Sequence, residues 1–297
     1  MYFSIIEIGS NSIKCTICKK ENGLWCTVAR KKAQVQLVDR LSRLSVLQDR
    51  AIKKIIWALQ QFKKVEEAYV CRGSFVFATG VLRLAKNKHA IVEEIKKKLH
   101  VTIHVLSGHV EAALGYLALK DKTVLDQGVL VDTGGASTEL TVISRSKPAF
   151  FHSYPFGAST LSKQFFHQTS DDWRSFVDQL KENLGSTMQT MLHTQSFPTL
   201  VTIGGPHQFL QGQGTEESLS GDWVKQQLVE LVEMDHESYN KLGWIPKHRI
   251  LSFKGGLLPL LAVMEVFPIT SILCKQLTIT EGVIAALNRK QMNTLFL

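Results

Sequence analysis

A short pattern occurs twice in this sequence and leaves few folds open to it. The β-branched, apolar run from Tyr2 to Ile8 turns at Gly9-Ser10-Asn11-Ser12 and resumes as Ile13 to Ile17. Val129 to Val131 leads in the same way through Asp132-Thr133-Gly134-Gly135-Ala136-Ser137-Thr138 into Glu139 to Ile143. Placing Glu7 on Asp132 puts Gly9 on Gly134, Ser12 on Ser137 and Thr16 on Thr141, since 132 minus 7 and 137 minus 12 both give 125. A strand, a polar glycine turn and a strand opening each half predict two similar lobes, with loops that face each other across a cleft.

The segments between the repeats fit that plan. A helical pattern runs from Val46 to Phe62, with Ile52, Ile55, Ile56 and Leu59 on one face. Strands are expected at Ala68 to Cys71, Phe75 to Ala78 and Val101 to Leu106, and helices at Gly80 to Lys86, Ala90 to Leu99 and from Gly108. This alternation predicts an α/β fold with a mixed sheet. At 297 residues, two domains are the natural expectation. The crossover at Lys120 to Gly128 sets them at 1–119 and 120–297. The longest apolar stretch, Gly255 to Phe267, carries Pro259 and Glu265 and is too short to span a bilayer, so it reads as a buried helix and no membrane partner is expected.

A glycine turn between strands lets backbone N–H groups converge on one anion, because glycine tolerates positive φ and close approach. Gly9 supplies this in the first loop and Gly134 and Gly135 in the second, while Ser10, Asn11, Ser12, Ser137 and Thr138 add side-chain donors. The acids beside the loops, Asp132 and Glu139 in the second and Glu7 in the first, suit a divalent cation that offsets phosphate charge. Gly204-Gly205, after the apolar run Leu200 to Ile203, is a weak signal taken alone.

The net charge of +9 suits an anionic ligand. The runs Arg30-Lys31-Lys32 and Lys96-Lys97-Lys98 are short and read as solvated faces, so no nucleic-acid partner is expected. Five cysteines and no signal peptide ahead of the first strand pattern predict a reducing, cytoplasmic setting. Cys15 and Cys18 have metal-pair spacing but fall on opposite faces of a strand, and read as ordinary strand residues.

Taken in order, these motifs resemble the exopolyphosphatase and guanosine pentaphosphate phosphatase family, within the superfamily of actin, sugar kinases and heat-shock ATPases. Ile8-Gly9-Ser10-Asn11-Ser12 and Asp132 to Leu140 are similar to its two phosphate motifs. Ala78-Thr79-Gly80-Val81-Leu82-Arg83 resembles its arginine segment, and Leu106-Ser107-Gly108-His109-Val110-Glu111-Ala112 its glutamate segment. Pro155-Phe156-Gly157-Ala158, Gly204-Gly205 and Thr280-Glu281-Gly282-Val283 continue the match. The resemblance implies a two-lobed actin-like ATPase fold in its short form. It implies an enzyme that hydrolyses phosphoanhydride bonds, with inorganic polyphosphate or guanosine pentaphosphate as substrate and Mg2+ or Mn2+ as cofactor. In that scheme Glu111 is the general base and Arg83 steadies the terminal phosphate. Asp132, Glu139 and Glu7 organise the metal. Gly9, Ser10, Asn11, Ser12, Gly134, Gly135, Ser137, Thr138, Gly204, Gly205 and Arg249 contact phosphate. A homodimer is compatible with it.

The chain departs from the family pattern at Glu7 for aspartate, Ala136 for the third loop glycine, Val110 for an acid, and Gln36 for an arginine. Glu7, Ala136 and Val110 motivate a second reading, a sensor that binds polyphosphate or alarmone without turnover. A third is a kinase of the same superfamily, against which stand Glu111 and the Pro206 that follows Gly204-Gly205.

Overall fold

The computed structural model describes residues 1–42, 44–166, 173–192, 196–210, 218–245 and 250–292. The chain divides into two compact units, Met1–Asp121 with Ile279–Leu297, and Lys122–Thr278.

In the first unit β1 (Tyr2–Ile8), β2 (Ser12–Glu21) and β3 (Leu24–Gln34) pair antiparallel. Then come α1 (Asp49–Ala68), β4 (Cys71–Ala78), α2 (Gly80–Leu84), α3 (Lys88–Leu99), β5 (Ile103–Val105) and α4 (Gly108–Lys120). β4 pairs parallel with β1 and β5 with β4, giving the order β3-β2-β1-β4-β5. Helix α1 packs Ala51, Ile52, Ile55, Ala58, Leu59 and Phe62 inward. The strand expected at Ala68 to Cys71 is absent. Ala68 closes α1, Val70 turns the chain at φ 51°, and one strand runs from Cys71. The buried face of a 20-residue helix outweighs the strand preference of three residues at its end.

The second unit contains β6 (Gly128–Thr133), β7 (Thr138–Ser144), β8 (Lys147–Tyr154), α5 (Ala158–Phe166), α6 (Trp173–Leu192) and β9 (Thr199–Ile203). A 3-10 turn at Gly205–Leu210 follows, then β10 (Leu219–Ser220), α7 (Gly221–Glu233), α8 (His236–Lys241), α9 (Ile250–Val266) and β11 (Ser271–Cys274). The sheet order is β8-β7-β6-β9-β11-β10, with β6, β9 and β11 parallel. Without the short β10, this is the order of the first sheet, so the duplication extends beyond the loops to the whole five-stranded plan. The apolar stretch of the sequence is α9, whose Leu257, Leu258, Leu260, Leu261 and Ala262 are buried around the helix. No helix among the described residues is long and apolar enough to cross a membrane.

Helix α10 (Ile279–Asn288) returns to the first unit. Its Ile279, Val283 and Ala286 join Ile5, Phe77 and Leu114 in one apolar cluster. A Cβ on Gly282 would lie 2.0 Å from the Leu114 carbonyl oxygen, so only glycine lets α10 lie this close to α4. Asn288 closes the contact, accepting from the Trp25 N–H (2.7 Å) and donating to its carbonyl (3.2 Å). The second domain therefore does not run from 120 to the end of the chain as expected, because α10 folds with the first.

Candidate active site

The parallel strands of each sheet end where the sequence motifs lie. In the first unit β1, β4 and β5 run out at Ile8, Ala78 and Val105. These ends feed the first loop, the Thr79–Arg83 segment and the Leu106–Glu111 segment, as expected for an α/β sheet that binds ligands at the carboxyl ends of its strands. The Thr79 N–H donates to Ile8 O (3.2 Å) and the Leu106 N–H to Ala78 O (2.9 Å), which draws the three segments together. In the second unit β6 and β9 end at Thr133 and Ile203, beside Gly134–Ser137 and Gly204–Gly205.

The two loops share one backbone design. Gly9 N–H donates to Ser12 O (3.1 Å), and Gly134 N–H to Ser137 O (2.9 Å), the same bond displaced by the repeat offset. Neither glycine adopts positive φ. Glycine relieves crowding there, since a Cβ would stand 3.0 Å from Ser12 O and 3.3 Å from Ser137 O respectively. Ala136, which is buried, likewise has no positive φ, so an alanine sits there without backbone strain. In the first loop the carbonyl of Asn11 accepts from Val35 and Gln36 N–H (3.0 Å each) and that of Ser10 from Val38 N–H (3.1 Å). Gln36 takes the left-handed conformation to do so.

The repeat register reveals a contrast that the sequence reading missed. Antiparallel pairing sets Glu7 opposite Lys14 and Asp132 opposite Glu139. Lys14 therefore occupies in the first loop the position that Glu139 holds in the second, and carrying the repeat two residues past Ser12 would have found it. Lys14 Nζ donates to both oxygens of Glu7 (3.1 and 3.3 Å), and Thr280 Oγ1 reaches Oε2 at 3.3 Å. The first-loop acid is thus neutralised by its own strand partner. In the second loop two acids lie directly opposite, so like charges face each other where the first loop has an ion pair.

Glu139 is buried and accepts from Ser153 Oγ at 2.7 Å. Asp132 is half-buried, and β9 passes close beside it because Gly204 has no side chain. A Cβ there would meet Thr133 O at 2.7 Å and Asp132 Oδ1 at 3.0 Å, and its φ is +104°. Among the described residues no three His, Cys, Asp or Glu side chains gather in a metal-binding group. A pair of hard carboxylates still fits Mg2+, which keeps several waters and binds through one or two carboxylates plus substrate phosphate.

Thr138 and the start of α5 also brace the second loop. Thr138 Oγ1 donates to Phe156 O (2.9 Å), so this hydroxyl ties the loop to the segment before α5. The first N–H groups of α5 serve loop carbonyls, Ala158 N to Gly134 O (2.8 Å) and Ser159 N to Gly135 O (2.8 Å). Gly157 permits this contact, since a Cβ on it would sit 2.6 Å from Gly134 O and 2.7 Å from Ser137 N. Ser10, Ser12 and Ser137 are buried, Asn11 and Gly135 are partly exposed, and Gly205 is exposed. Arg249 lies outside the described residues.

Arg83 and Glu111, 28 residues apart and on different helices, meet in the first unit. Arg83 lies in the last turn of α2, and Glu111 in the first turn of α4, whose cap Ser107 accepts from Val110 N–H (3.2 Å). Arg83 Nη1 donates to Glu111 Oε2 and, at 3.4 Å, to Leu106 O. Both side chains are largely buried, at 16% and 7% exposure. Removing either partner from such a pair costs about 3–5 kcal/mol, so the carboxylate is held in one place. Val110, where the family pattern has an acid, packs against the core beneath.

Cys15 and Cys18 lie buried in β2, and burial pushes their thiols up to about 12 and about 11, away from the thiolate that binds metal.

The sequence model described as the Ppx/GppA phosphatase family matches residues 16–291. A guanosine-5'-triphosphate,3'-diphosphate pyrophosphatase of Aliivibrio fischeri is 25% identical over 94% of this chain and 58% of its own length. Exopolyphosphatase 1 of Mycobacterium leprae is 22% identical over 96% of this chain and 88% of its own. The chain spans 50% and 58% of the length of the first two curated relatives it matches. Among solved structures, the Aquifex aeolicus member of the Ppx/GppA protein family superposes with a TM-score of 0.78 at 22% identity, over 98% of this chain and 99% of that one. That likeness shows the fold, the actin-like ATPase plan of duplicated mixed sheets.

Proposed function

Since the chain belongs to the Ppx/GppA phosphatase family, we propose that it hydrolyses phosphoanhydride bonds, releasing terminal phosphate from inorganic polyphosphate or guanosine pentaphosphate. The observation that carries this reading is the Arg83–Glu111 pair, buried near the carboxyl ends of the strands from which the first loop springs.

Phosphoryl transfer to water asks little covalent work of a protein. It needs positioning, charge neutralisation and a proton acceptor. Glu111 accepts the proton of the attacking water as the water oxygen bonds to the terminal phosphorus. The bridging P–O bond breaks, and the remaining chain leaves one phosphate shorter. Arg83 fixes the base, and its guanidinium, which suits phosphate oxygens, steadies the terminal phosphate. Apart from the Gly9 and Gly134 N–H groups, which close their own turns, the backbone N–H groups and small side chains around Gly9–Ser12 and Gly134–Ser137 contact phosphate. Asp132 and Glu139 would hold Mg2+ or Mn2+, which supplies charge neutralisation when bound. Glu7, engaged by Lys14, keeps the first loop in shape.

The test is phosphate release from long-chain polyphosphate and from guanosine pentaphosphate, with Mg2+ and with EDTA. Release from either that requires the metal supports hydrolysis. Tight binding of both without release supports the sensor, which the neutralised Glu7 would suit. Release that depends on an added acceptor points to the kinase.

A further inference from the structure

The charge of this chain is divided unevenly. The first unit carries 23 Lys and Arg against 11 Asp and Glu, and the second 12 against 15, for nets of +12 and −3. Part of the excess is ordered on α1. Arg50, Lys53, Lys54, Trp57, Gln60, Gln61 and Lys64 fall at helical spacing on one side, within about 120° of arc. This is the side opposite the buried Ile52, Ile55, Leu59 and Phe62. Arg50, Lys53, Gln60 and Lys64 are exposed, and the Trp57 ring is 52% exposed in their midst.

No acid interrupts the stripe. Asp49 and Glu67 lie to one side, and Glu66 turns to the sheet, where Ser4 Oγ donates to it. Among the described residues, Arg50, Lys53 and Lys64 form no ion pair. Lys54 instead anchors the helix, donating to Val35 O (3.0 Å), whose residue in turn bonds the first loop. From Arg50 to Lys64 the stripe is about 21 Å long.

We propose that this face of α1 binds single-stranded nucleic acid, with Arg50, Lys53 and Lys64 on phosphates and Trp57 stacked on a base. The residue mixture selects this partner. An inorganic polyanion would use the cations and leave an exposed tryptophan and two glutamines without a role. A membrane surface would call for several apolar residues, and the stripe offers one. Cations interleaved with an aromatic ring and amide side chains match a strand that presents phosphates, π faces and hydrogen-bonding edges together. The expectation of no nucleic-acid partner rested on consecutive basic runs, and a stripe at helical spacing shows no run. The proposal does not depend on the hydrolytic reading.

The test is fluorescence anisotropy of a labelled 20-nucleotide oligouridylate on the full chain, titrated at several salt concentrations. Wild type is expected to bind. Replacing Arg50, Lys53 and Lys64 together by Gln should lower the salt slope by about 2, for three lost contacts to a single strand. Trp57→Ala should weaken binding about five- to hundredfold, with Trp57→Phe close to wild type. All variants should keep the wild-type melting curve and phosphate release, since none of these residues belongs to the site above. Absence of binding by wild type would overturn the proposal. So would Trp57→Ala binding as tightly as wild type, which would leave a cation surface for polyphosphate, or a preference for phosphatidylserine vesicles over the oligonucleotide.

Discussion

Asp132 and Glu139 make a prediction with opposite signs in two conditions. Directly opposed carboxylates repel, so Asp132→Asn should raise the melting temperature in EDTA, by up to about 1 kcal/mol of stability, while Mg2+-dependent phosphate release falls at least tenfold. A variant less stable than wild type in EDTA would mean the pair is already compensated. His207 makes a second, pH-dependent one. It is fully buried, its Nε2 faces Gly256 O at 3.1 Å, and burial lowers its pKa to about 4 from 6.5. The unfolded chain therefore binds the extra proton between pH 6.5 and 4. The stability of the neutral form is whole above pH 6.5 and is lost as pH falls toward 4, by about 3 kcal/mol. Urea denaturation across that range should show the slope, and His207→Gln should flatten it. At this scale the sequence was unevenly legible. Asp132 stood out because it opens a repeated loop. Arg83 and Glu111 are single residues on separate helices, brought together only by the fold, and resemblance alone pointed to them.

At the scale of elements, the loops hold their shape through close backbone contacts, and glycines mark where these occur. Gly157→Ala would set a methyl against the backbone of Gly134, Ala136 and Ser137, none of which can turn aside. It should cost about 1–3 kcal/mol in urea denaturation. Gly185→Ala, within α6 and with nothing within 4 Å of its Cβ, should instead stabilise by about 0.5–1 kcal/mol. Equal effects of the two would remove the packing argument. Strands β1 and β6 and helices α4 and α9 were readable from periodicity and turn residues. The strand expected at Ala68 was not there because local preference gave way to the buried face of α1. Helix α10 looked like the end of the second domain, since the Leu114 carbonyl that requires Gly282 is 168 residues away in sequence.

At the scale of the whole molecule, one sheet order occurs twice, and two short segments at a constant offset, Glu7 to Thr16 and Asp132 to Thr141, foretold it. The return of α10 and the split of charge between a basic first unit and a mildly acidic second became visible only once the units were defined. The central claim is that this duplicated frame carries a hydrolase whose base is Glu111. The most direct test is phosphate release from polyphosphate and guanosine pentaphosphate by Glu111→Gln, with substrate binding measured in parallel. Glutamine keeps the shape and an acceptor for Arg83 but cannot take the proton. Retained binding with release lowered at least hundredfold is the expected result, within the range general bases contribute. Release at the wild-type rate by a folded Glu111→Gln would contradict the claim and return Glu111 to the role of a structural partner for Arg83.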